Sequence, residues 1–296
     1  MAELLQPIKA ILSDIDGTLL NKDRVLSPLT VDTIKKIRTL YDVPFVLISA
    51  RMPKAITHLA AQLGINDPIV AYNGGLIFHN TERREVVQNL TISTDVAYEV
   101  YSFLKESNVH ISLFREDEWV AETEDYWAKR EINNTRVTPA LAPVEQTLER
   151  WARKGGGVHK IMCMGDAHAI GELEHFMRRE HAANANSYRS KDTYLEITPT
   201  GTNKALAMHK VLAALGVDAA NAAAFGDNYN DVEMLREVGV GVAMGNAPEK
   251  VKKAANVVAR HHKEDGVAHE LIHLFGLGEV TAKTDKAEPA SDLIEG

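Results

Sequence analysis

Cysteine is nearly absent from this chain of 296 residues. The single cysteine, Cys163, excludes an internal disulfide, and the apolar run Ile161–Met164 around it favours a small buried side chain over a nucleophile. No uninterrupted apolar run is long enough to span a bilayer. Residues 1–7 lack the basic start and apolar stretch of a signal peptide, so we expect a cytoplasmic protein with no membrane partner.

An excess of positive charge is also lacking. The formal net charge is −8, which gives no electrostatic reason to expect a nucleic acid or an anionic membrane as partner. Hydrophobic residues make up 45% of the chain and charged residues 25%, as in an ordinary globular protein. The length fits about two domains, and we expect a monomer or a homodimer.

The stretch from Ile11 to Leu20, with the sequence ILSDIDGTLL, carries two carboxylates at the end of an apolar run. The run predicts a buried strand, and alternation along it puts Asp14 and Asp16 on the same side. Carboxylates this close repel each other unless a cation such as Mg²⁺ lies between them. Because ligands bind at the carboxyl ends of strands in open α/β sheets, the pair predicts a metal site there. A solvated turn at the strand end is the alternative.

Strand-like and helix-like segments alternate at both ends of the chain, which predicts an α/β fold with a doubly wound, Rossmann-like parallel sheet. Between about residues 89 and 190 the pattern changes to short antiparallel strands and helices. Residues 195–197 are predicted to return to the first sheet. We therefore predict a core of residues 1–88 and 191–276, an inserted α+β domain of residues 89–190, and a flexible acidic tail of residues 277–296.

Four short motifs, each after a strand-like apolar run, together resemble the motifs of the haloacid dehalogenase superfamily. They are Asp14-Ile15-Asp16-Gly17-Thr18, Ser49 within Leu47–Arg51, Lys204 within Thr200–Lys204, and Gly226–Asp231. The insertion between the second and third motifs resembles the cap domain of the Cof-type branch of that superfamily. The segment Asn73-Gly74-Gly75 is also similar to a segment of that branch, and we expect Asn73 and Gly74 to support the site.

The resemblance implies a Mg²⁺-dependent phosphatase of sugar phosphates or other small phosphorylated metabolites. Asp14 is then the nucleophile that forms an aspartyl-phosphate, and Asp16 is the general acid and base. The implied metal ligands are the carboxylates of Asp14 and Asp227 and the backbone carbonyl of Asp16. The peptide N–H of Ile15 is expected to face the phosphate.

Ser49 ends a predicted strand with a hydroxyl donor, and the N–H of Ala50 points the same way at a predicted helix start, which suits an anion. A plain helix N-cap is the alternative for Ser49. A lysine in the first turn of a helix, as Lys204 is, opposes the helix dipole, which indicates another task. The resemblance implies that all three bind phosphate and that Lys204 keeps Asp14 ionised. Most members of the superfamily have Thr-Gly-Arg at the second motif, where this chain has Ser49-Ala50-Arg51.

Three further residues are candidates with open alternatives. Asn230 is expected to bind phosphate and Asp231 to support the site through a water or a hydrogen bond to Lys204, although a helix-capping pair is the alternative. Arg51 either contacts substrate or forms a structural ion pair. In the inserted domain, we expect polar residues near Arg115, His159 or Arg189 to contact substrate.

Two other functions remain open at this point. A sugar phosphomutase has a related core with the same first motif, and it needs a dense set of cap arginines to hold a bis-phosphate intermediate. A non-catalytic sensor of phosphorylated metabolites is the other alternative, and the intact set of Asp14, Asp16, Lys204 and Asp227 argues against it.

Overall fold

The computed structural model describes residues 7–278. Most of the predicted acidic tail, residues 279–296, lies outside the described residues. Leu277 lies within the predicted tail, but it is buried and packs in the apolar core. Among residues 7–278, no helix combines the length and apolar character needed to cross a membrane.

Within the described residues, the strands and helices alternate along much of the chain. The strands are β1 (Ala10–Ser13), β2 (Phe45–Ile48), β3 (Pro68–Ala71), β4 (Leu76–His79), β5 (Val86–Asn89), β6 (His110–Arg115), β7 (Glu118–Ala121), β8 (Ala140–Leu141), β9 (Lys160–Met164), β10 (Ala185–Lys191), β11 (Tyr194–Pro199), β12 (Ala222–Gly226), β13 (Val240–Ala243) and β14 (Val257–Val258). The helices are α1 (Pro28–Tyr41), α2 (Lys54–Leu63), α3 (Thr94–Leu104), α4 (Tyr126–Thr135), α5 (Val144–Arg153), α6 (Ala167–Glu180), α7 (Lys204–Leu215), α8 (Val232–Glu237), α9 (Glu249–Lys252) and α10 (Gly266–Leu274).

The larger sheet has eight strands in the order β14-β13-β12-β1-β2-β3-β4-β5. Strands from β14 to β3 are parallel to their neighbours, whereas β4 and β5 add an antiparallel edge. The predicted parallel sheet is confirmed, and the hairpin that follows Asn73-Gly74-Gly75 forms this edge. Strand β1 lies inside the sheet between β12 and β2, so its end is flanked by the ends of both neighbours.

Both faces of the larger sheet are covered by helices, which explains why β1 is a continuous apolar run. Ile11 packs on one face with residues of α1, α2 and α10, and Leu12 packs on the other with residues of α7 and α8. Strands buried on both faces need apolar side chains at successive positions rather than at alternate ones. All four residues of β1 are accordingly buried.

The second sheet has six strands in the order β10-β11-β9-β6-β7-β8, all antiparallel to their neighbours except β7 and β8. Helices α3, α5 and α6 pack on one face around Trp151, which is buried and donates from Nε1 to Glu118 Oε2 at 2.9 Å. Cys163 in β9 is fully buried between Ile111 of β6 and Leu195 of β11, as its apolar surroundings predicted.

The predicted return of residues 195–197 to the first sheet is wrong. Strand β11 pairs with β9 and β10 in the six-stranded sheet, so the predicted boundary at residue 191 falls within that sheet rather than at its end. Burial alternates along β11, with Leu195 and Ile197 in the core. Alternation is typical of an antiparallel strand with one covered face, whereas the interior parallel strands of the larger sheet, β1, β2, β3, β12 and β13, are buried throughout.

Replacing Leu271 tests how α10 packs against the larger sheet. Leu271→Ala removes a fully buried side chain and leaves a cavity, so we expect the free energy of unfolding to fall by about 2–5 kcal/mol. Leu206→Ala is the matched control, because Leu206 is a helical leucine with 49% of its surface exposed, and it should change that free energy by about 0.5 kcal/mol or less. Urea unfolding followed by circular dichroism measures both, and equal losses would contradict this packing.

Candidate active site

Two aspartates lie at the carboxyl ends of neighbouring parallel strands. Asp14 follows β1, Asp227 follows β12, and the two strands are in register with Ser13 opposite Phe225. The backbone N–H of Asp14 donates to the carbonyl of Phe225 at 3.0 Å. Asp14, Asp227 and Asp231 each offer a carboxylate oxygen within 4.8 Å of the others, and we call these three residues the acidic triad.

The ammonium group of Lys204 neutralises part of this charge. Lys204 begins α7 and is 1% exposed, and its Nζ donates to Asp14 Oδ1 at 2.5 Å and to Asp231 Oδ1 at 2.6 Å. Burial alone would lower the pKa of Lys204, but the charges of the two carboxylates outweigh it and raise that pKa. Burial, together with the carboxylates of Asp231 and Asp227, raises the pKa of Asp14 against the opposing charge of Lys204. Lys204 therefore stays charged and binds the two buried carboxylates.

Asp231 serves as a positioning residue within the triad. Its Oδ2 accepts the backbone N–H groups of Asp227 and Asn228, both at 2.9 Å, while its Oδ1 binds Lys204. Asp231 is fully buried, and both of its oxygens are occupied by these three bonds. It therefore holds the loop that carries Asp227, which leaves Asp14 and Asp227 as the carboxylates with oxygens to offer a metal ion.

Asp227 approaches the turn that follows Asp14. Thr18 Oγ1 donates to Asp227 Oδ1 at 3.4 Å, and a Cβ at Gly17 would come within 2.3 Å of Asp227 Oδ2. Gly17 also has φ of +80°, so no other residue suits both its backbone and this close approach. Burial and the charge of Asp231 raise the pKa of Asp227 to about 6. A divalent cation held by oxygen ligands would relieve this repulsion.

Asn246 belongs to the site but carries no sequence motif. Its Nδ2 donates to the Gly17 carbonyl at 2.9 Å and to Asp227 Oδ2 at 3.1 Å. Asn246 follows β13, the strand beside β12, so its position after an apolar run was the signal that could have identified it.

The carboxylate of Asp16 is bound by arginine. Arg51 donates from Nε to Asp16 Oδ2 at 2.6 Å and from an Nη to Oδ1 at 2.7 Å, and Arg24 lies 3.5 Å from Oδ1. Arg51 also donates to the carbonyls of Ala55 and Asn134, at 3.2 and 3.1 Å. Of the two roles open for Arg51, the structure contains the ion pair. Through its bond to the carbonyl of Asn134, Arg51 also links Asp16 to α4.

Ser49 and Ala50 form the turn after β2. Ser49 is buried, and its Oγ accepts the N–H of Arg51 at 3.2 Å, which makes a local turn rather than the N-cap of α2, because α2 begins only at Lys54. Within residues 7–278 nothing accepts the Ser49 hydroxyl hydrogen. This hydrogen is therefore available to an anion at the ends of β1 and β2.

The segment Tyr72-Asn73-Gly74 joins the neighbouring loops. All three residues have positive φ, of 53°, 54° and 102°, a conformation that costs free energy for Tyr and Asn. The N–H of Asn73 donates to the Ser49 carbonyl at 2.8 Å, and Asn230 Nδ2 donates to Asn73 Oδ1 at 3.3 Å. Asn230 thus lies beside Asn73 at the rim of the site.

The polar residues of the inserted domain that contact substrate were expected near Arg115, His159 or Arg189, and these three side chains are themselves engaged within that domain. Arg115 donates to the Trp151 carbonyl, and Arg189 donates to the carbonyls of Ala167 and Asp192. His159 is fully buried, and burial and the charge of Arg115 lower its pKa to about 4. Lys160, the residue after His159, donates from Nζ to the carbonyl of Ala50 at 3.1 Å. Glu131 lies one turn before Asn134, whose carbonyl accepts from Arg51, and no motif indicated Glu131.

Comparisons with known proteins agree with this geometry. The family model of the haloacid dehalogenase-like hydrolases matches residues 11–271. A relative from Haemophilus influenzae is 34% identical over 269 residues, which cover 90% of this chain and 98% of the relative. The 5-amino-6-(5-phospho-D-ribitylamino)uracil phosphatase of Bacillus subtilis is 29% identical over 270 residues, which cover 89% of this chain and 96% of that protein.

The crystal structure of a haloacid dehalogenase-like hydrolase from Bacteroides thetaiotaomicron has a TM-score of 0.83 to this chain at 29% identity, covering 90% of this chain and 100% of that one. The chain therefore belongs to the haloacid dehalogenase-like hydrolases, and the resemblance predicted from the four motifs is confirmed. The relatives named as phosphatases support the prediction of a phosphoric monoester hydrolase.

Removing the charge of Asp227 should change how stability depends on pH. The pKa of Asp227 is about 6 in the folded protein, whereas an aspartate in the unfolded chain has a pKa of 3.8. Between these two pH values the folded state therefore binds more protons than the unfolded state. The stabilisation from this group is present below about pH 4 and is lost as the pH rises through about 6. We compare the two proteins in chelator as the pH rises from about 4 to about 6. Over this range the free energy of unfolding of the wild type should fall by about 1–3 kcal/mol more than that of Asp227→Asn.

Asp192→Asn is the control for this experiment, since Asp192 is an exposed aspartate in a turn, and it should follow the wild type. Urea unfolding at a series of pH values measures all three proteins. The raised pKa of Asp227 would be refuted by parallel pH profiles for the wild type and Asp227→Asn.

Proposed function

We propose that this protein is a Mg²⁺-dependent phosphatase of small phosphorylated metabolites that works through an aspartyl-phosphate on Asp14. The observation that carries the proposal is the pairing of Asp14 with the buried Lys204 beside Asp227, at the carboxyl end of the central strand. A carboxylate nucleophile splits hydrolysis into two easier steps, and a fixed positive charge beside it stabilises the negative oxygens of the phosphoryl group.

The residues present fit a magnesium ion. Asp14 and Asp227 offer carboxylate oxygens, and the turn at Asp16 offers a backbone carbonyl, all of them hard oxygen ligands. The raised pKa of Asp227 reflects a local excess of negative charge. When bound, the ion would neutralise charge on the phosphoryl oxygens and orient them for in-line attack.

The remaining steps depend on side chains and backbone of this chain. The Asp14 carboxylate attacks phosphorus in line as the ester P–O bond to the leaving group breaks, while Lys204, the Ser49 hydroxyl and the N–H groups of Ile15 and Ala50 bind the phosphoryl oxygens. Asp16 protonates the leaving oxygen and later takes a proton from the water that hydrolyses the aspartyl-phosphate. In the structure both oxygens of Asp16 accept from Arg51, so Asp16 must leave the guanidinium and take up a proton from solvent before it donates to the leaving oxygen.

Sugar phosphates are the substrate class that we propose. The relative from Bacillus subtilis acts on a phosphorylated ribityl compound, and an Escherichia coli relative, 26% identical over 263 residues, is named a pyridoxal phosphate phosphatase. Both names describe phosphorylated small molecules. The cap arginines do not favour a phosphomutase, because many of them are paired with glutamates: Arg150, Arg153, Arg178, Arg179 and Arg189.

Substitution of the nucleophile tests the proposal. Asp14→Asn removes the attacking carboxylate, so we expect phosphate release from a panel of phosphorylated sugars to fall about a thousandfold or more. Chelator should abolish release by the wild type, and added Mg²⁺ should restore it. Asp32→Asn, at an exposed aspartate on α1, is the matched control and should retain the wild-type rate.

The same assay separates the two reaction classes. A hexose 1-phosphate included in the panel should yield free phosphate, whereas an isomerised sugar phosphate would indicate a mutase. Release that persists in Asp14→Asn would contradict the aspartyl-phosphate, and a folded wild type that releases no phosphate from any compound would contradict the phosphatase.

A further inference from the structure

Lys160 of β9 is a buried cation without a counter-charge. It is 4% exposed, and no carboxylate among residues 7–278 lies within 4.0 Å of its Nζ. The ammonium lies 4.6 Å from the ring centroid of Phe114, and its one hydrogen bond goes to the carbonyl of Ala50 at 3.1 Å. An ammonium has three donors, and burying a charge is costly unless its donors are satisfied. Two donors of Lys160 are left for a group that residues 7–278 do not supply.

Glu131 of α4 carries a carboxylate that lacks hydrogen-bond donors among residues 7–278, as two donors of Lys160 lack acceptors. Its carboxylate makes no hydrogen bond within the described residues, although the side chain is only partly exposed. The charged groups that face it come from several elements: Lys160 on β9, Asp16 and Arg51 in the active-site loops, and Glu196 on β11. Burial raises the pKa of Glu131, against the opposing charge of Lys160. Glu131 and Lys160 carry opposite charges, but more than 4.0 Å separates the ammonium nitrogen from the carboxylate oxygens, so they form no ion pair.

Both groups lie beside the loop that carries Ser49, Ala50 and Arg51. Lys160 binds the carbonyl of Ala50, whose own N–H we assign to the phosphate, and Glu131 lies one turn before Asn134, whose carbonyl accepts from Arg51. A substrate whose phosphate lies at the end of β1 would extend its leaving group between them.

We propose that Lys160 and Glu131 determine specificity by binding hydroxyl groups of the leaving group, so that the substrates are phosphates of polyhydroxylated molecules. A hydroxyl both accepts and donates, and it can therefore bridge an ammonium and a carboxylate that do not touch. An anionic group could accept from Lys160 but would be repelled by Glu131, Asp16 and Glu196. This inference rests on the proposed phosphatase activity and identifies the part of the substrate that is not phosphate.

The test compares two substrates in variants of each residue. Sorbitol 6-phosphate has a polyhydroxylated leaving group, and phenyl phosphate has one without hydroxyls. Lys160→Met retains an unbranched chain over Phe114 and removes the charge, while Glu131→Gln retains the shape and removes the charge. We expect each variant to lower kcat/KM for sorbitol 6-phosphate by about 10- to 100-fold more than for phenyl phosphate. Lys129→Met, at an exposed lysine on α4, is the control and should leave the ratio of the two substrates unchanged.

Three outcomes would overturn the inference. Equal losses on both substrates would make Lys160 a positioning residue that acts through Ala50. A wild-type preference for 6-phosphogluconate over sorbitol 6-phosphate that disappears in Lys160→Met would mean that Lys160 binds an anion. No hydrolysis of either phosphate by the folded wild type would refute the phosphatase, and the inference with it. Circular dichroism verifies that each variant folds. If Lys160→Met does not fold, the comparison of the two substrates in Glu131→Gln tests the inference.

Discussion

The buried ammonium group of Lys204 is the constraint on which the rest of the site depends. Three carboxylates converge at the ends of two adjacent strands, and one of them, that of Asp231, is fully buried. Within the described residues, Lys204 is the cation that binds two of these carboxylates directly. Without it, a buried carboxylate would lack its counter-charge, at a cost of several kcal/mol. The first turn of α7 must therefore pack against the ends of β1 and β12, which brings residues from distant parts of the sequence together.

This constraint extends into the backbone through Asp231. Its carboxylate is fixed on one side by Lys204 and on the other by the N–H groups of Asp227 and Asn228. The orientation of Asp227 is therefore tied to the same ion pair as Asp14. The close approach of Asp231 to β12 requires a glycine at position 226, because a Cβ there would lie only 2.5 Å from the Cβ of Asp231. The geometry offered to a metal ion is thus set by contacts that no metal ion makes.

The local sequence pattern predicted much of the fold and the residues of the central site. A strand buried on both faces is a continuous apolar run in the sequence, and the polar residues that follow it mark the end of the strand. The acidic triad and Lys204 are brought together as the motifs predicted. Two other contacts between distant segments left no such signal: Lys160 binds the carbonyl of Ala50, 110 residues away, and nothing in the motifs named Asp16 as the ion-pair partner of Arg51. The error at β11 had a visible cause, because the alternation of Leu195 and Ile197 is typical of the antiparallel sheet that contains them.

Cys163 gives the six-stranded sheet a built-in chemical reporter. Its thiol is fully buried on the middle strand β9, and burial raises its pKa, so that reactive thiolate does not form while the sheet is intact. The sequence contains no second cysteine to react in its place. The rate at which a thiol reagent labels the native protein therefore measures how often this sheet opens. The same burial protects the sulfur of Cys163 from oxidation.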